Sequence, residues 1–336
     1  MSDVAVLGAG GWGMALACAM QSRGHKVHLW SPFEEEVDHL RRHHGNEALL
    51  PGIQLPDDID VTGDLDFIGT SDLVILAVPS FAVRSTAHRL QGRLPDGATV
   101  VNVGKGFEKD TYKRLSTVIG EELPAVRVVV LSGPSHAEEV ARGVPTSLVA
   151  ASADPSAAQY VQDLVHTPRL RIYTHTDVTG VEVGGALKNV IAVCAGICDG
   201  LKLGDNTKAA LMTRGLTEIA RLGVAMGAQE QTFAGLTGVG DLIVTCMSMH
   251  SRNRRFGILV GQGVAPQDAL KQIGMTVEGY HACAIAESLA ESYGVEMPIT
   301  HQCYRILTGE CPAADAITNL MLRPQKHEQE SSWLKA

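Results

Sequence analysis

The sequence predicts an α/β Rossmann-type N-terminal domain with a mostly parallel sheet, followed by an all-α C-terminal domain. Three observations carry this. A G-x-G-x-x-G turn, Gly8, Gly10 and Gly13, stands between a short apolar strand and an alanine-rich helix. Short apolar runs then alternate with helical stretches through the first half, and near 173–180 that alternation gives way to segments that nearly all read helical.

The first strand, 4–8, runs directly into the turn. Gly8 permits the tight reversal, Gly10 leaves room for a pyrophosphate against the backbone, and Gly13 lets the helix at 11–22 pack closely on the sheet, while its N-terminus offers free N–H groups and positive potential. Further strands are predicted at 26–30, 73–78, 99–103, 126–131 and 146–151, with helices at 34–44, 80–91, 110–121, 135–142 and 155–166, most announced by Ser, Asp or Pro near the start. Right-handed crossovers bring the strand ends Val78-Pro79, Val103-Gly104 and Leu131-Ser132 to the sheet edge that carries the glycine turn. Beyond Arg171-Ile172-Tyr173-Thr174, helices are predicted at 179–199, 206–226, 230–234, 239–246, 252–261, 266–271, 278–294, 297–307 and 312–320. The expected division is 1–175 for the dinucleotide-binding domain, 176–323 for a helical substrate-binding and catalytic domain, and 324–336 for a polar tail.

A chain of 336 residues suits about two domains, each able to bury its own core. With 45% hydrophobic and 19% charged residues and a net charge of −9, it offers no global basic field for nucleic acid or an anionic membrane surface. Gly, Lys or Asn interrupts the apolar runs before the length of a membrane span, and a strand entered within three residues leaves no room for a secretory leader. The seven cysteines are odd in number and form no C-x-x-C, and Cys194 and Cys198 read as buried free thiols. These features predict a cytoplasmic protein without a metal site. Exposed helical faces in the second half permit a homodimer without specifying one.

Four segments place charged or hydroxyl groups in glycine-rich, apolar surroundings. In V-N-V-G-K-G-F, Lys105 lies between two glycines at a strand end, as either a ligand-facing ammonium or a solvated loop lysine. In L-S-G-P-S-H-A-E, Gly133 and Ser135 precede a helix start that either holds a hydroxylated or phosphorylated substrate or is simply capped. In E-V-G-G-A-L-K-N-V-I-A, Gly184, Lys188 and Ala192 share one narrow helix face on which Lys188 is isolated, as a functional cation or a snorkelling surface lysine. Finally, Asp241 and Thr245 are one helical turn apart, and Ser251-Arg252-Asn253 brings a guanidinium fork and an amide suited to phosphate oxygens, or a basic surface cluster.

A dinucleotide fold with two isolated lysines suggests hydride transfer to a carbonyl carbon, which leaves alkoxide character on oxygen. Lys188 is then the candidate acid/base, its pKa lowered by burial and a second cation; Lys105 binds substrate and polarises the carbonyl; Asp241 orients Lys188. Arg252, Asn253 and the 133–136 turn would hold an anionic tail.

The motifs G-A-G-G-W-G, G-K-G, S-G-P-S-H-A-E-E, E-V-G-G-A-L-K-N-V-I-A, G-V-G-D-L, S-R-N-R-R-F-G, V-E-G-Y and G-V-E-M-P-I occur in one order along the whole chain. In this the chain resembles the bacterial NAD(P)-dependent glycerol-3-phosphate dehydrogenase family. The resemblance implies reversible reduction of the small molecule dihydroxyacetone phosphate to sn-glycerol 3-phosphate for phospholipid synthesis, with NAD(H) or NADP(H) as cofactor. It implies Lys188 as proton acceptor in the oxidative direction, and Lys105, Gly133, Ser135, Asp241, Ser251, Arg252 and Asn253 as substrate contacts, with Thr245 near the substrate. It implies Gly11, Trp12, Lys105, Ala137, Arg252, Thr276 and Glu278 as dinucleotide contacts, beside the turn glycines and Ser31 at the end of the second strand.

Three departures stand out. Gly11 replaces a common Ser, Val103-Gly104-Lys105 replaces the usual hydroxyl before the lysine, and Trp30-Ser31-Pro32-Phe33-Glu34 carries no cation where the family usually has Arg or His for a 2′-phosphate. The last departure weakens the case for NADPH. Two other readings compete: a reductase acting on another substrate, and a dinucleotide-binding redox sensor that needs no acid/base lysine.

Overall fold

The structure is a computed structural model that describes residues 1–325, 327 and 328. Most of the expected tail therefore lies outside the described residues. The first half runs β1 (Asp3–Leu7), α1 (Gly11–Gln21), β2 (Lys26–Trp30), α2 (Glu34–His43), β3 (Asp60–Thr62), β4 (Leu73–Leu76), α3 (Val83–Arg89), β5 (Thr99–Asn102), α4 (Leu115–Glu122), β6 (Arg127–Ser132), α5 (Ala137–Ala141), β7 (Thr146–Ala151), α6 (Pro155–Val165) and β8 (Leu170–His175). One eight-stranded sheet results, in the order β3-β2-β1-β4-β5-β6-β7-β8.

Both faces of the sheet are covered, so its central strands are apolar throughout. Along β1, Val4 and Val6 join the core under α1 and α6, while Ala5 and Leu7 join the opposite core under α3 and α4. All neighbouring strands are parallel except β6 and β7. The five-residue α5 explains that reversal. It advances about 7.5 Å, too little to carry the chain back along a strand of about 20 Å, so the chain turns and pairs antiparallel.

Several predicted elements need correction. β3, three residues long, and β8, an edge strand that buries Leu170 and Ile172 but exposes Arg171 and Tyr173, were not foreseen. The helix expected at 80–91 opens with a 3-10 turn at Ser80–Ala82. The helix expected at 110–121 begins only at Leu115, because 107–114 fold as a tight loop in which Tyr112 takes φ 58 and donates its N–H to Glu108 O.

The second half is helical: α7 (Val178–Gly200), α8 (Asp205–Ala225), α9 (Asp241–Met247), α10 (Arg252–Gly261), α11 (Pro266–Ile273), α12 (Glu278–Tyr293), α13 (Pro298–Leu307) and α14 (Ala313–Met321). A 3-10 turn at Glu230–Ala234 and a π-helical turn at Leu236–Gly240 lead into α9. α7 is the axis of this half, with Val178 to Gly200 buried almost end to end. Against expectation it is long and apolar enough to cross a membrane, since Glu182, Lys188 and Asp199 are few charges in 23 residues. The fold buries its apolar stretch completely.

α7 and α10 touch backbone to backbone. A Cβ at Gly196 would fall 2.1 Å from Arg254 O, and one at Gly257 would fall 2.1 Å from Val193 O. Only glycines allow this approach. It sets the start of α10 beside the middle of α7, where Lys188 lies.

Candidate active site

The glycine turn has the shape of a phosphate cradle. Gly8 takes φ 121 and donates its N–H to Trp30 O, and a Cβ on Gly13 would stand 1.8 Å from Gly8 O, so both glycines are required by the turn itself. Gly10 differs: nothing lies within 4 Å of a Cβ built there. Its bareness keeps open space in front of the first N–H groups of α1, which suits a pyrophosphate. Gly11 lies against Leu49 O and near Ala137, so the loop after α2 and the start of α5 wall the same turn. Trp12 is half-buried against the neighbouring core.

Along the same sheet edge, β5 delivers Lys105 and β6 delivers Gly133 and Ser135. Lys105 Nζ donates to Gly133 O at 2.9 Å, Ser135 Oγ at 3.1 Å and Asp241 Oδ2 at 2.8 Å. From the helical half, Lys188 Nζ donates to Asp241 Oδ1 and, at 2.7 Å, to Thr245 Oγ1. Asp241 thus holds one lysine on each carboxylate oxygen, with 0% of its surface exposed. Gly185, one turn before Asn189, makes room: a Cβ there would meet Ser132 Oγ at 2.9 Å and Lys105 Cγ at 3.7 Å.

The electrostatics follow from burial. Desolvation dominates at Lys188 and, together with the Lys105 charge, brings its pKa down from the usual lysine range to about 7, although Asp241 works against the shift. Burial alone would raise the Asp241 carboxyl; the ammonium groups of Lys105 and Lys188 outweigh it and hold the pKa below the usual carboxylate range. With both lysines protonated, the triad carries one net positive charge in a protected place. It attracts an anion, and Lys188 can give up a proton near neutrality.

Around the triad, Asn253 Nδ2 donates to Asn189 Oδ1 at 2.9 Å and its Oδ1 accepts from Gly279 N at 2.8 Å, so most of its amide is committed to joining α7, α10 and α12. Ser251 Oγ caps α10 by accepting from Arg254 N. Arg252 is exposed and makes no hydrogen bond or ion pair among the described residues, with Glu278 and Glu138 acting on it through space. Thr276 is half-buried just ahead of α12. Glu278 accepts from Ser80 Oγ at 2.9 Å and Ser80 N at 3.4 Å, and burial raises its carboxyl pKa. Cavities of about 350 and 630 Å³ lie elsewhere, beside α2 and between α1 and α5, and neither is lined by the lysines.

The structure therefore brings together Lys105, Gly133, Ser135, Lys188, Asp241 and Thr245 in one bonded network, while Asn253 lies outside it, bonded to Asn189, the residue after Lys188. Sequence reasoning gave Asp241 to Lys188 alone and missed its second lysine. It also missed Ser80, for which the strand end at Val78-Pro79 was the available signal, and Asn189, directly after Lys188. The Gly196-x3-Gly200 and Gly257-x3-Gly261 spacings would have disclosed the seam between α7 and α10. Among the described residues no group of His, Cys, Asp or Glu could hold a metal ion.

A dinucleotide cradle together with a lysine pair, bridged by a buried aspartate and drawn from two halves of one chain, defines a dinucleotide-dependent oxidoreductase. Residues 3–158 match the N-terminal and residues 177–318 the C-terminal family description of NAD-dependent glycerol-3-phosphate dehydrogenase. The chain belongs to the NAD-dependent glycerol-3-phosphate dehydrogenase family. It is 54% identical to glycerol-3-phosphate dehydrogenase [NAD(P)+] of Moorella thermoacetica, over 98% of both chains, and 50% identical to that of Desulfitobacterium hafniense, over 98% of this chain and 94% of the other. The crystal structure of glycerol-3-phosphate dehydrogenase from Coxiella burnetii is similar with a TM-score of 0.92 and 37% identity, covering 96% of this chain and 99% of that one.

Proposed function

We propose that this chain catalyses the reversible NAD(P)H-dependent reduction of dihydroxyacetone phosphate to sn-glycerol 3-phosphate, supplying phospholipid synthesis, with Lys188 as the proton donor. The observation that carries the reading is the buried triad in which Asp241 bridges Lys105 and Lys188 at the dinucleotide edge of the sheet. When bound, the reduced nicotinamide supplies a hydride to the carbonyl carbon. Lys105 and the triad's net positive charge draw the carbonyl oxygen and stabilise the negative charge that grows on it. Lys188 Nζ then gives that oxygen a proton, and in the oxidative direction takes it back from the hydroxyl. Asp241 and Thr245 fix the Lys188 ammonium. Arg252, with its unshared guanidinium, Ser251, Asn253 and the Gly133–Ser135 turn bind the substrate's phosphate end.

The same reading assigns the cofactor to Gly8, Gly10, Gly11, Trp12, Gly13, Ser31, Lys105, Ala137, Arg252, Thr276 and Glu278. It divides the chain at 175/176, supported by β8 ending at His175 and α7 beginning at Val178. A cytoplasmic location is supported by seven cysteines that are all free. A homodimer is supported by Ile243 and Met247, half-exposed one turn apart on α9; sedimentation velocity tests it.

The deciding experiment follows oxidation of the reduced nicotinamide with dihydroxyacetone phosphate and, separately, with unphosphorylated dihydroxyacetone. Turnover confined to the phosphorylated ketone is the expected result. Equal turnover of both would remove the phosphate contact from the reading, and cofactor binding without turnover would favour a sensor.

A further inference from the structure

Position 31 lies 18 residues past Gly13, at the end of the second strand, where a dinucleotide fold meets the adenosine ribose. A carboxylate there accepts from a free 2′-hydroxyl, whereas a 2′-phosphate needs a cation. In this chain Ser31 is completely buried, and its hydroxyl donates to Oε2 of Glu36, which reaches back from the first turn of α2. The Ser31 oxygen in turn accepts from Phe33 N at 3.3 Å. A hydroxyl has one proton, and here it is committed to a carboxylate, so Ser31 has none to offer a phosphate. Glu36 Oε1 has no hydrogen-bond partner among the described residues, which leaves an acceptor at the strand end.

The charges on every side agree. Glu34, Glu35 and Glu36 fill the first turn of α2 and offset the positive end of that helix. Asp64 follows on the adjacent loop, and Pro32 contributes no donor. The basic residues of α2, Arg41, Arg42 and His43, sit in its last turn, and Arg41 is bonded to Val61 O. Arg89 lies over the Trp30 ring on the other face of the sheet, with the α3 core.

We propose that the Ser31–Glu36 pair makes this chain selective for NADH over NADPH: Glu36 receives the ribose 2′-hydroxyl, and the α2 carboxylates repel a 2′-phosphate. This rests on the cofactor assignment above. The residues fit the dinucleotide itself, since Gly10 leaves open space where a Cβ would fill the cradle.

The test is the dissociation constant of each reduced dinucleotide for the wild-type protein, read from nicotinamide fluorescence at fixed ionic strength, without substrate. NADH is expected to bind about tenfold or more tightly than NADPH. Glu36→Gln should reduce that ratio, and Pro32→Arg combined with Glu36→Gln should reverse it; both positions are partly exposed, so the variants should fold. Tighter NADPH binding by the wild type, or an unchanged ratio in Glu36→Gln, overturns this inference while leaving the reaction assignment standing. Binding of neither dinucleotide overturns both.

Discussion

The glycine edge of the sheet and the Lys105–Asp241–Lys188 triad, assigned above to one site, are built by opposite means. At the glycine edge the backbone does the work: N–H groups at the start of α1 face open space, and the side chains that matter are the missing ones. At the triad, charged side chains are withdrawn from water and held by one another. The lesson is that a backbone cradle fails through added volume, whereas a buried charge cluster fails through lost balance. Each kind of substitution should therefore leave a different trace.

The sharpest contrast is Lys188→Ala. Removal of the proposed proton donor should lower kcat by about 10²–10⁴-fold, while the NADH dissociation constant stays within about threefold of wild type. Steady-state rates and fluorescence titration on the same preparation check both halves. Comparable losses in kcat and NADH affinity would mean that the two regions are not separable as argued.

Asp241→Asn should be next. It leaves the buried Lys188 and the partly buried Lys105 without their shared carboxylate, which should cost about 3–5 kcal/mol of stability in denaturant unfolding. It should also press the Lys188 pKa below its present value of about 7, slowing reduction at neutral pH. An unchanged unfolding midpoint would contradict the bridging role.

At the cradle, two glycines separate fold from ligand. Gly13→Ala places a Cβ against Gly8 O and should destabilise the protein, whereas Gly10→Ala meets no protein atom and should leave thermal stability intact. The latter should instead weaken NADH by about tenfold, because the new methyl group would occupy the space assigned above to the pyrophosphate. Thermal melts beside titrations distinguish the two; similar melting losses in both variants would show that Gly10 serves the fold.

The smallest effect is a pH dependence. In its proposed role, Lys188 must be neutral to accept a proton from glycerol 3-phosphate and charged to donate one to the oxygen of the ketone being reduced. Because its pKa is lowered to about 7, kcat/KM for oxidation should rise as pH increases through that value, and kcat/KM for reduction should fall over the same interval. Flat profiles from about pH 6 to about pH 9 would remove Lys188 from the proton transfer.

Much of this molecule was legible without coordinates. Period-2 and all-apolar runs gave six of the eight strands, because strands buried on both faces must be apolar. Gly8, Gly10 and Gly13 were readable because spacing alone encodes a backbone turn, and Lys188 because one cation in an apolar helix is conspicuous. The edge strands β3 and β8 were obscure, one for its length and the other for its exposed alternate residues. The start of α4 was hidden for a different reason. The groups that hold it, Ser116 N and Ser116 Oγ bonded to Glu182, belong to residues 66 positions apart on two different helices.

The sequence by itself determined the two-part architecture, the cradle and the candidate lysines, since local periodicity and glycine spacing carry that information within short windows. Tertiary structure decided the antiparallel turn of β7, the backbone contact of α7 with α10, and the sharing of Asp241 between two lysines. Each of these depends on which distant groups come within a few ångströms of one another, and burial then sets their charge, a quantity that no residue carries alone.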